Sequence, residues 1–238
     1  MLKGLRIVLL LVLFPVVMAA QEEGFTQQDF DDVYLSEIKE ENMQLSARIK
    51  TFPDAVKEVN KQAAQAIRNK DYKAALRFAN KLDSIDPKNA DIKNFKGKML
   101  AKTGDSKQSI KAFSDAIKLN PDNKWFYINK AGAQADAGMH AEALLTIQEL
   151  NSRFPQWSIG YNYKGALLHA LNKDKEAVEA YTTALKNKPE SALIATNLGD
   201  LQLQLNNKPA AVEAYNKALS LQPDYKRAQE KLNVAKVN

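Results

Sequence analysis

Small and apolar residues recur along the chain at a fixed interval, and within each interval they form two stretches with helical spacing. Six prolines mark the interval, each 34 positions after the one before: Pro53, Pro87, Pro121, Pro155, Pro189 and Pro223. A stretch such as residues 177–185 places Ala177, Tyr181 and Ala184 on one face of a helix. Because proline cannot continue a helix, each one separates a pair of helices from the next pair. The pattern predicts an array of repeated helical hairpins.

Aligned on these prolines, the chain divides into five units: 56–89, 90–123, 124–157, 158–191 and 192–225. Position 8 of each unit is small: Ala63, Gly97, Ala131, Gly165 and Gly199. Position 20 is also small: Ala75, Ser109, Ala143, Ala177 and Ala211. Position 15 lies between the two helices, and in four of five units it is a glycine or asparagine that can end a helix in the left-handed conformation. Small residues in both halves predict that the paired helices cross at close approach, where larger side chains would overpack.

This pattern resembles the tetratricopeptide repeat, a 34-residue helix–turn–helix unit with small residues at positions 8 and 20 and proline at position 32. The segments GDSKQSIKAFSDAIKLNPDN and NKDKEAVEAYTTALKNKPES are similar to the second half of that unit. The resemblance implies an all-α, right-handed solenoid of five repeats over residues 56–225, closed by a C-terminal capping helix over residues 226–238. Four residues depart from the large apolar types usual in the family: Lys93 and Ala195 at position 4, and Asp83 and Asn151 at position 28.

Residues 1–20 have the three parts of a cleaved secretory signal: a short basic start, twelve mostly apolar residues, and a pair of alanines. The apolar run is too short to span a bilayer, which takes about 20 residues. Cleavage after Ala19 and cleavage after Ala20 both fit. The signal predicts export to the periplasm or cell envelope of a bacterium, or secretion, without stable membrane insertion after cleavage.

Residues 21–55 form an acidic leader with nine acidic and three basic side chains, whereas residues 56–238 carry 29 basic and 19 acidic ones. Apolar residues at helical spacing predict a helix over 29–50, either a helical leader or a degenerate N-terminal cap, because Glu41 occupies a small-residue position. Two uses stay open. The leader is mobile after signal cleavage, or it lies in the groove of its own chain or a neighbour, which would also allow a homodimer.

Nothing in the sequence predicts catalysis, a cofactor or a metal site. The chain has no cysteine, and its two histidines, His140 in a turn and His169 on a first helix, lack a His or Cys partner nearby in sequence. No glycine-rich phosphate loop or nucleophile elbow is present. The lysines are spread among acidic residues, so a solvated face is favoured over nucleic-acid binding.

The family resemblance implies a binding site on the first helix of each repeat, where positions 2, 5, 9 and 12 line a concave groove; we call these positions the groove stripe. The predicted peptide-binding residues lie on the stripe or next to it: Asn94, Lys98, Trp125, Ile128, Asn129, Ile159, Asn162, His169, Leu193 and Asn197. A basic end comprises Lys57, Arg68 and Lys102. The carboxylate clamp of heat-shock co-chaperones is missing, since Asn60 and Ala64 stand where its first Lys and Asn would be.

Four apolar members of the stripe, Trp125, Ile128, Ile159 and Leu193, predict an exposed slot for peptide side chains, with Trp125 as anchor. The alternative is that they belong to the core between repeats. The predicted function is a non-catalytic scaffold or assembly factor of the cell envelope that binds a protein or peptide in the groove. The alternative function is a structural spacer that self-associates through the leader.

Overall fold

The structure is a computed structural model that describes residues 30–237. The predicted signal sequence and leader residues 21–29 lie outside this range. Within it, the chain forms α-helices and no strands. The helices are α1 (Asp32–Lys50), α2 (Asp54–Arg68), α3 (Tyr72–Ile85), α4 (Ala90–Lys102), α5 (Ser106–Leu119), α6 (Lys124–Asp136), α7 (His140–Arg153), α8 (Ser158–Ala170), α9 (Asp174–Asn187), α10 (Ala192–Gln204), α11 (Lys208–Leu221) and α12 (Lys226–Val237).

The described residues form two compact units. The N-terminal unit contains residues 38–146, and the C-terminal unit contains residues 30–37 and 147–237. In each unit helices pair as hairpins, such as α4 with α5 and α10 with α11, and the second helix of one hairpin packs on the first helix of the next. This is the all-α array of helical hairpins that the 34-residue interval predicted.

The turn inside each hairpin contains one residue in the left-handed conformation at position 15. These residues are Lys70, Gly104, Gly138, Asn172 and Asn206. The next backbone N–H then bonds five residues back; for example, Asp105 N donates to Leu100 O at 2.9 Å, which satisfies a carbonyl at the helix end. Lys70, with φ 56°, adopts this conformation as well, although a side chain there costs about 1–2 kcal/mol. The turn therefore imposes the geometry even where the residue type does not favour it.

Glycine at position 8 makes room for an aromatic ring at position 24 of the same repeat. A Cβ built on Gly97 would lie 2.7 Å from the ring of Phe113, and one on Gly199 would lie 2.6 Å from Tyr215. In the third repeat, where position 8 is Ala131, position 24 is the aliphatic Ile147. The two positions are therefore matched in size within a repeat.

This match gives a stability prediction for Gly97→Ala. Overpacking against Phe113 costs roughly 1–3 kcal/mol, and alanine gains about 1 kcal/mol of helix propensity. We expect urea denaturation to show a net loss of about 1 kcal/mol. In a Phe113→Leu background the ring is gone, so the same Gly97→Ala change should stabilise the protein. If Gly97→Ala destabilised the protein in both backgrounds, the Phe113 ring would not be the cause of the destabilisation.

Two of the departures from the family pattern compensate each other. Asp83 at position 28 of the first repeat pairs with Lys93 at position 4 of the second, with 2.5 Å between Lys93 Nζ and Asp83 Oδ1. Lys96 Nζ lies 2.9 Å from Asp83 Oδ2. An ion pair thus replaces the usual apolar contact between these two repeats.

The departure at Asn151 is accommodated differently. A Cβ on Gly160 would overlap Asn151 Oδ1, so the amide side chain fits because residue 160 is glycine. Asn151 is buried, and neither of its side-chain polar atoms has a hydrogen-bond partner. Ala195, the remaining departure, is fully buried.

Both terminal helices contribute to the core. Leu45 of α1 is buried in a cluster with Val56, Val59 and Phe95, and Ile49 and Phe52 pack against that cluster. At the C-terminal end of the described residues, four residues at helical spacing are buried: Tyr225, Ala228, Leu232 and Ala235. Helix α12 therefore covers the apolar face of the last hairpin.

Candidate peptide-binding surface

The apolar members of the groove stripe are buried, not exposed as the slot hypothesis expected. Trp125 and Ile128 on α6 are 7% and 1% exposed, and Ile159 on α8 and Leu193 on α10 are 2% and 5% exposed. Periodicity does not distinguish a helix face that is buried from one that is open to solvent. Whether these residues contact a partner stays a prediction.

The asparagines of the stripe pair with each other across neighbouring first helices. Asn129 Nδ2 donates to Asn94 Oδ1 at 2.8 Å, and both residues are buried. Asn197 Nδ2 donates to Asn162 Oδ1, also at 2.8 Å. We predicted these four side chains as peptide-binding residues; in the structure each amide hydrogen-bonds its neighbour in the adjacent repeat.

In the C-terminal unit, a charged network continues the second asparagine pair. Arg227 on α12 donates from Nη2 to Asn197 Oδ1 and to Asp200 Oδ2, both at 2.8 Å. The hydroxyl of the buried Tyr215 donates to Asp200 Oδ1 at 2.8 Å. Burial, and then the nearby charge of Asp200, raise the pKa of Tyr215. Arg227 could not be predicted from the repeat pattern, because its position relative to the repeats depends on how the capping helix docks.

The remaining predicted residues have local partners or lie near the surface. In the N-terminal unit Lys98 is buried, Lys57 contacts Asp54 at 3.3 Å, and Lys102 lies 5.9 Å from the centre of the Tyr72 ring. Arg68 is exposed and donates to Gln65 at 2.6 Å.

The two histidines differ from the sequence expectation. His169 has no His or Cys partner nearby in sequence, but its Nδ1 lies 2.6 Å from Asp174 Oδ1. His140 is the first residue of α7, not a turn residue, and its Nδ1 is buried without a hydrogen-bond partner. Among the described residues no three acidic or histidine side chains are grouped to hold a metal ion.

Helix α1 contacts first helices in the N-terminal unit through charged side chains. Arg48 donates from Nε and Nη2 to both carboxylate oxygens of Asp91, at 2.8 and 3.0 Å, at the start of α4. Arg48 also contacts Glu41 at 3.0 Å. Glu41 in turn accepts a hydrogen bond of 2.9 Å from Asn123, the residue that caps α6. Bidentate arginine–carboxylate pairs are among the stronger polar contacts in proteins.

The start of α1 makes a second set of contacts in the C-terminal unit, at the N-terminus of α10. The Asp31 carboxylate is 1% exposed. Its Oδ2 accepts hydrogen bonds from Ser191 Oγ at 2.6 Å and from the backbone N–H of Leu193 at 2.9 Å. Its Oδ1 accepts from the backbone N–H of Tyr34 at 2.8 Å. One carboxylate thus caps both α1 and α10, a favourable place for negative charge.

Tyr34 and Glu37 extend these contacts to α8 and the residue before it. Trp157 Nε1 donates to Glu37 Oε2 at 3.0 Å. Tyr34 is buried, stacks on Phe30 with ring centres 4.9 Å apart, and hydrogen-bonds with Tyr163. Burial, together with the interaction with Tyr163, raises the pKa of Tyr34 well above its usual range. Helix α1 begins at Asp32, and Asp31, Tyr34 and Glu37 are held by these contacts, which differs from a mobile leader.

In both units the N-termini of first helices, with their capping residues, bind acidic or ion-paired side chains of α1. The sequence predicted an acidic helical leader but not these contacts. The residues that make these contacts on the first helices lie mainly at positions 34 and 2 of the repeats, at one end of the groove stripe. The capping residues Asn123 and Ser191 are both at position 34. The arrangement holds an acidic helical segment of the chain itself.

Comparison with known proteins agrees with this architecture. A family model described as "Tetratricopeptide repeat" matches residues 169–226, and a second with the same description matches residues 90–123. By these two matches, residues 90–123 and 169–226 are tetratricopeptide repeats.

Among curated proteins, the chain is 32% identical over 149 residues to "Hsp70-Hsp90 organizing protein 3" of Arabidopsis thaliana. That match covers 60% of this chain and 26% of the relative. The chain spans about a quarter of the length of the curated relatives it matches.

Solved structures with the same fold include "MamA 41-end from Desulfovibrio magneticus RS-1", with TM-score 0.60 and 19% identity over 72% of this chain and 97% of that one. Another is "Crystal structure of YrrB: a TPR protein with an unusual peptide-binding site", with TM-score 0.54 and 19% identity over 71% and 87%. Within residues 30–237, no helix combines the length and the apolar character that crossing a membrane requires.

Proposed function

We propose that this protein is a non-catalytic scaffold or assembly factor of the bacterial cell envelope that binds a helical segment of a partner protein on the first helices of its repeats. The observation that carries the proposal is the docking of α1. In each unit, first helices hold charged side chains of α1 through the hydrogen bonds of Asp31, Glu37, Glu41 and Arg48. A surface that binds one helix in this way is suited to bind another.

The family and its relatives support the class of function. Tetratricopeptide repeats are interaction modules in a family that is typically non-catalytic, and the YrrB structure is described by its title as having a peptide-binding site. Export is supported by the signal pattern of residues 1–20. The co-chaperone role in the names of the curated relatives receives no support from the residues at Asn60 and Ala64.

A second candidate, a self-associating spacer, is favoured by the same docking of α1. Contacts such as those of Asp31 with Ser191 and Leu193 could also form between two copies of the chain. Sedimentation velocity of residues 21–238 separates the candidates, because a spacer forms a dimer or larger species at micromolar concentration and a scaffold stays monomeric until its partner is added.

The test of the proposed function uses the full-length chain with a C-terminal tag in a bacterial host. Export predicts a periplasmic protein whose first residue, by mass spectrometry, is Ala20 or Gln21. A photo-reactive amino acid is then placed at Ala166 on first helix α8 or, as the matched control, at the exposed Glu179 on second helix α9.

We expect illumination to produce a covalent adduct with a partner protein from position 166 and none from position 179. An adduct only from position 179 would move binding to the second helices and contradict the proposal. An adduct of the chain with a second copy of itself from position 166 would favour the spacer.

A further inference from the structure

Residues 31–37 form a short segment, which we call the docked segment, that occupies a defined site on the C-terminal unit. The site consists of the N-terminus of α10, where Ser191 Oγ and the Leu193 N–H bind Asp31, and of α8 with the residue before it. There Trp157 binds Glu37, and Tyr163 contacts Tyr34. Together these groups hold a carboxylate, an aromatic side chain and a second carboxylate.

We propose that the docked segment is an internal ligand, and that the partner of this site is an acidic helix beginning with aspartate and carrying an aromatic residue three positions later. The inference rests on the proposed function and names the chemistry of its partner. The partner and the docked segment compete for the same site, so the partner binds only when the docked segment has left.

The hydrogen-bond donors of the site, Ser191 Oγ and the Leu193 N–H, explain why the partner helix should begin with aspartate. Hydroxyl and backbone N–H groups at a helix N-terminus bind anions, and a charged acceptor strengthens each hydrogen bond. Asp31 also accepts from Tyr34 N in its own helix, so the carboxylate fits this place only when it stands at the start of a helix. Lys188 is ion-paired with Glu190 at 3.0 Å and also interacts with the charges of Glu37 and Asp31. An extended peptide or a basic helix would lack the matching groups.

The composition of the contact indicates that the docked segment can leave while the repeats stay folded. Tyr34 and Leu45 are the only buried apolar side chains on the 19 residues of α1, and Leu45 belongs to the core cluster of the N-terminal unit. By contrast, ten of the 13 residues of α6 are buried. The segment therefore contributes one buried aromatic side chain and a few hydrogen bonds to this site, and segments with few buried apolar contacts open locally at low free energy.

Competition between the docked segment and a partner has a measurable consequence. When the binding-competent state is only a fraction of the population, the apparent dissociation constant is the intrinsic one divided by that fraction. A substitution that frees the site, and leaves the site itself unchanged, should therefore tighten binding of an added helix. Asp31→Ala does this, and Asp32→Ala is a matched control because Asp32 is a neighbouring acid with an exposed side chain.

The probe is a fluorescent peptide of residues 29–40, and the protein is the mature chain of residues 21–238. We expect the Asp31→Ala protein to bind the peptide about tenfold or more tighter than the wild type, and the Asp32→Ala protein to bind like the wild type. A peptide carrying Asp31→Ala should lose binding to the Asp31→Ala protein, whereas the Asp32→Ala peptide should retain it.

Equal peptide affinity of the wild-type and Asp31→Ala proteins, or no binding by either, would overturn the inference. A measurement without any variant adds a second test: amide hydrogens of residues 32–37 should exchange faster than those of α8 and α10 in the unmodified chain. Exchange as slow as in those helices would make the segment a fixed part of the fold and overturn the inference. If the inference fails while position 166 still cross-links to a partner, the proposed function is retained and only the docked segment's role as an internal ligand is lost.

Discussion

Replacing Ile159 with aspartate is expected to unfold the first hairpin of the C-terminal unit, not merely to remove a binding contact. Ile159 is 2% exposed on α8, so the substitution puts a carboxyl group where water does not reach, and burying such a group is strongly unfavourable. We expect a loss of roughly 4 kcal/mol or more in the free energy of unfolding, measured by urea denaturation followed by circular dichroism.

The matched control is Ile159→Val, which removes one methylene group and should cost only about 0.5–1.5 kcal/mol. Because each repeat contacts mainly its neighbours, the aspartate variant should lose part of its helical signal before the rest of the chain unfolds. A variant that keeps wild-type stability would mean that position 159 is open to water, which would restore the exposed apolar slot. If the aspartate variant loses stability as expected, substitutions at Ile159 or Trp125 report on folding and cannot map a binding site.

The second large effect is expected at the ion pair that joins the first two repeats. Asp83→Asn leaves Lys93 and Lys96, whose side chains are 18% and 26% exposed, without their carboxylate. Removing one partner of a buried pair costs 3–5 kcal/mol, and partial exposure reduces this. We expect a loss of about 1–2 kcal/mol at pH 7. Asp115→Asn, in the solvent-exposed pair with Lys111, is the control and should cost less than about 0.5 kcal/mol.

The contribution of Asp83 has a predictable pH dependence. Burial alone would raise the pKa of Asp83, but hydrogen bonds from Lys93 and Lys96 and the charges of these lysines outweigh it, so the pKa is lowered. A carboxyl group whose folded pKa lies below its unfolded value of about 3.9 stabilises the protein fully above that value. The stabilisation is lost as the pH falls through the lowered pKa.

The difference in unfolding free energy between wild type and Asp83→Asn should therefore be constant from about pH 6 to 8 and shrink below about pH 4. A difference that grows in acid would contradict this assignment. Replacing both residues of the pair, as in Asp83→Leu/Lys93→Leu, should recover most of the stability, since apolar residues often substitute for a buried ion pair without loss.

The hairpins could be predicted from sequence because each depends on residues close together in the chain. The small residue at position 8, the proline at position 32 and the glycine or asparagine at position 15 all act within one repeat. Lys70 was the exception in type but not in conformation, because the hydrogen bonds of the turn impose the geometry. Asp83 and Lys93 were each recognised as departures from the family pattern. Because position 28 contacts position 4 of the next repeat, their ion pair could also have been predicted.

The candidate site was less predictable because its contacts join residues far apart in sequence. Asp31 and Ser191 are separated by 160 positions, and no periodic pattern links a single carboxylate to a helix N-terminus so distant. The sequence did contain two clues, an acidic leader with helical spacing and a polar capping residue before most first helices. The burial of Trp125 and Ile159 was not encoded in periodicity, since a helix face covered by other residues has the same spacing as an open one.

The asparagine pairs imply that the polar pattern of this array has a period of two repeats. Asn94 with Asn129 and Asn162 with Asn197 each join residues 35 positions apart, from position 5 of an even-numbered repeat to position 6 of the odd-numbered repeat after it. A gene duplication that added a single repeat would set an asparagine against a residue that cannot pair with it. Natural or engineered lengthening of the chain should therefore proceed by double repeats, and arrays with an odd insertion should be the less stable ones.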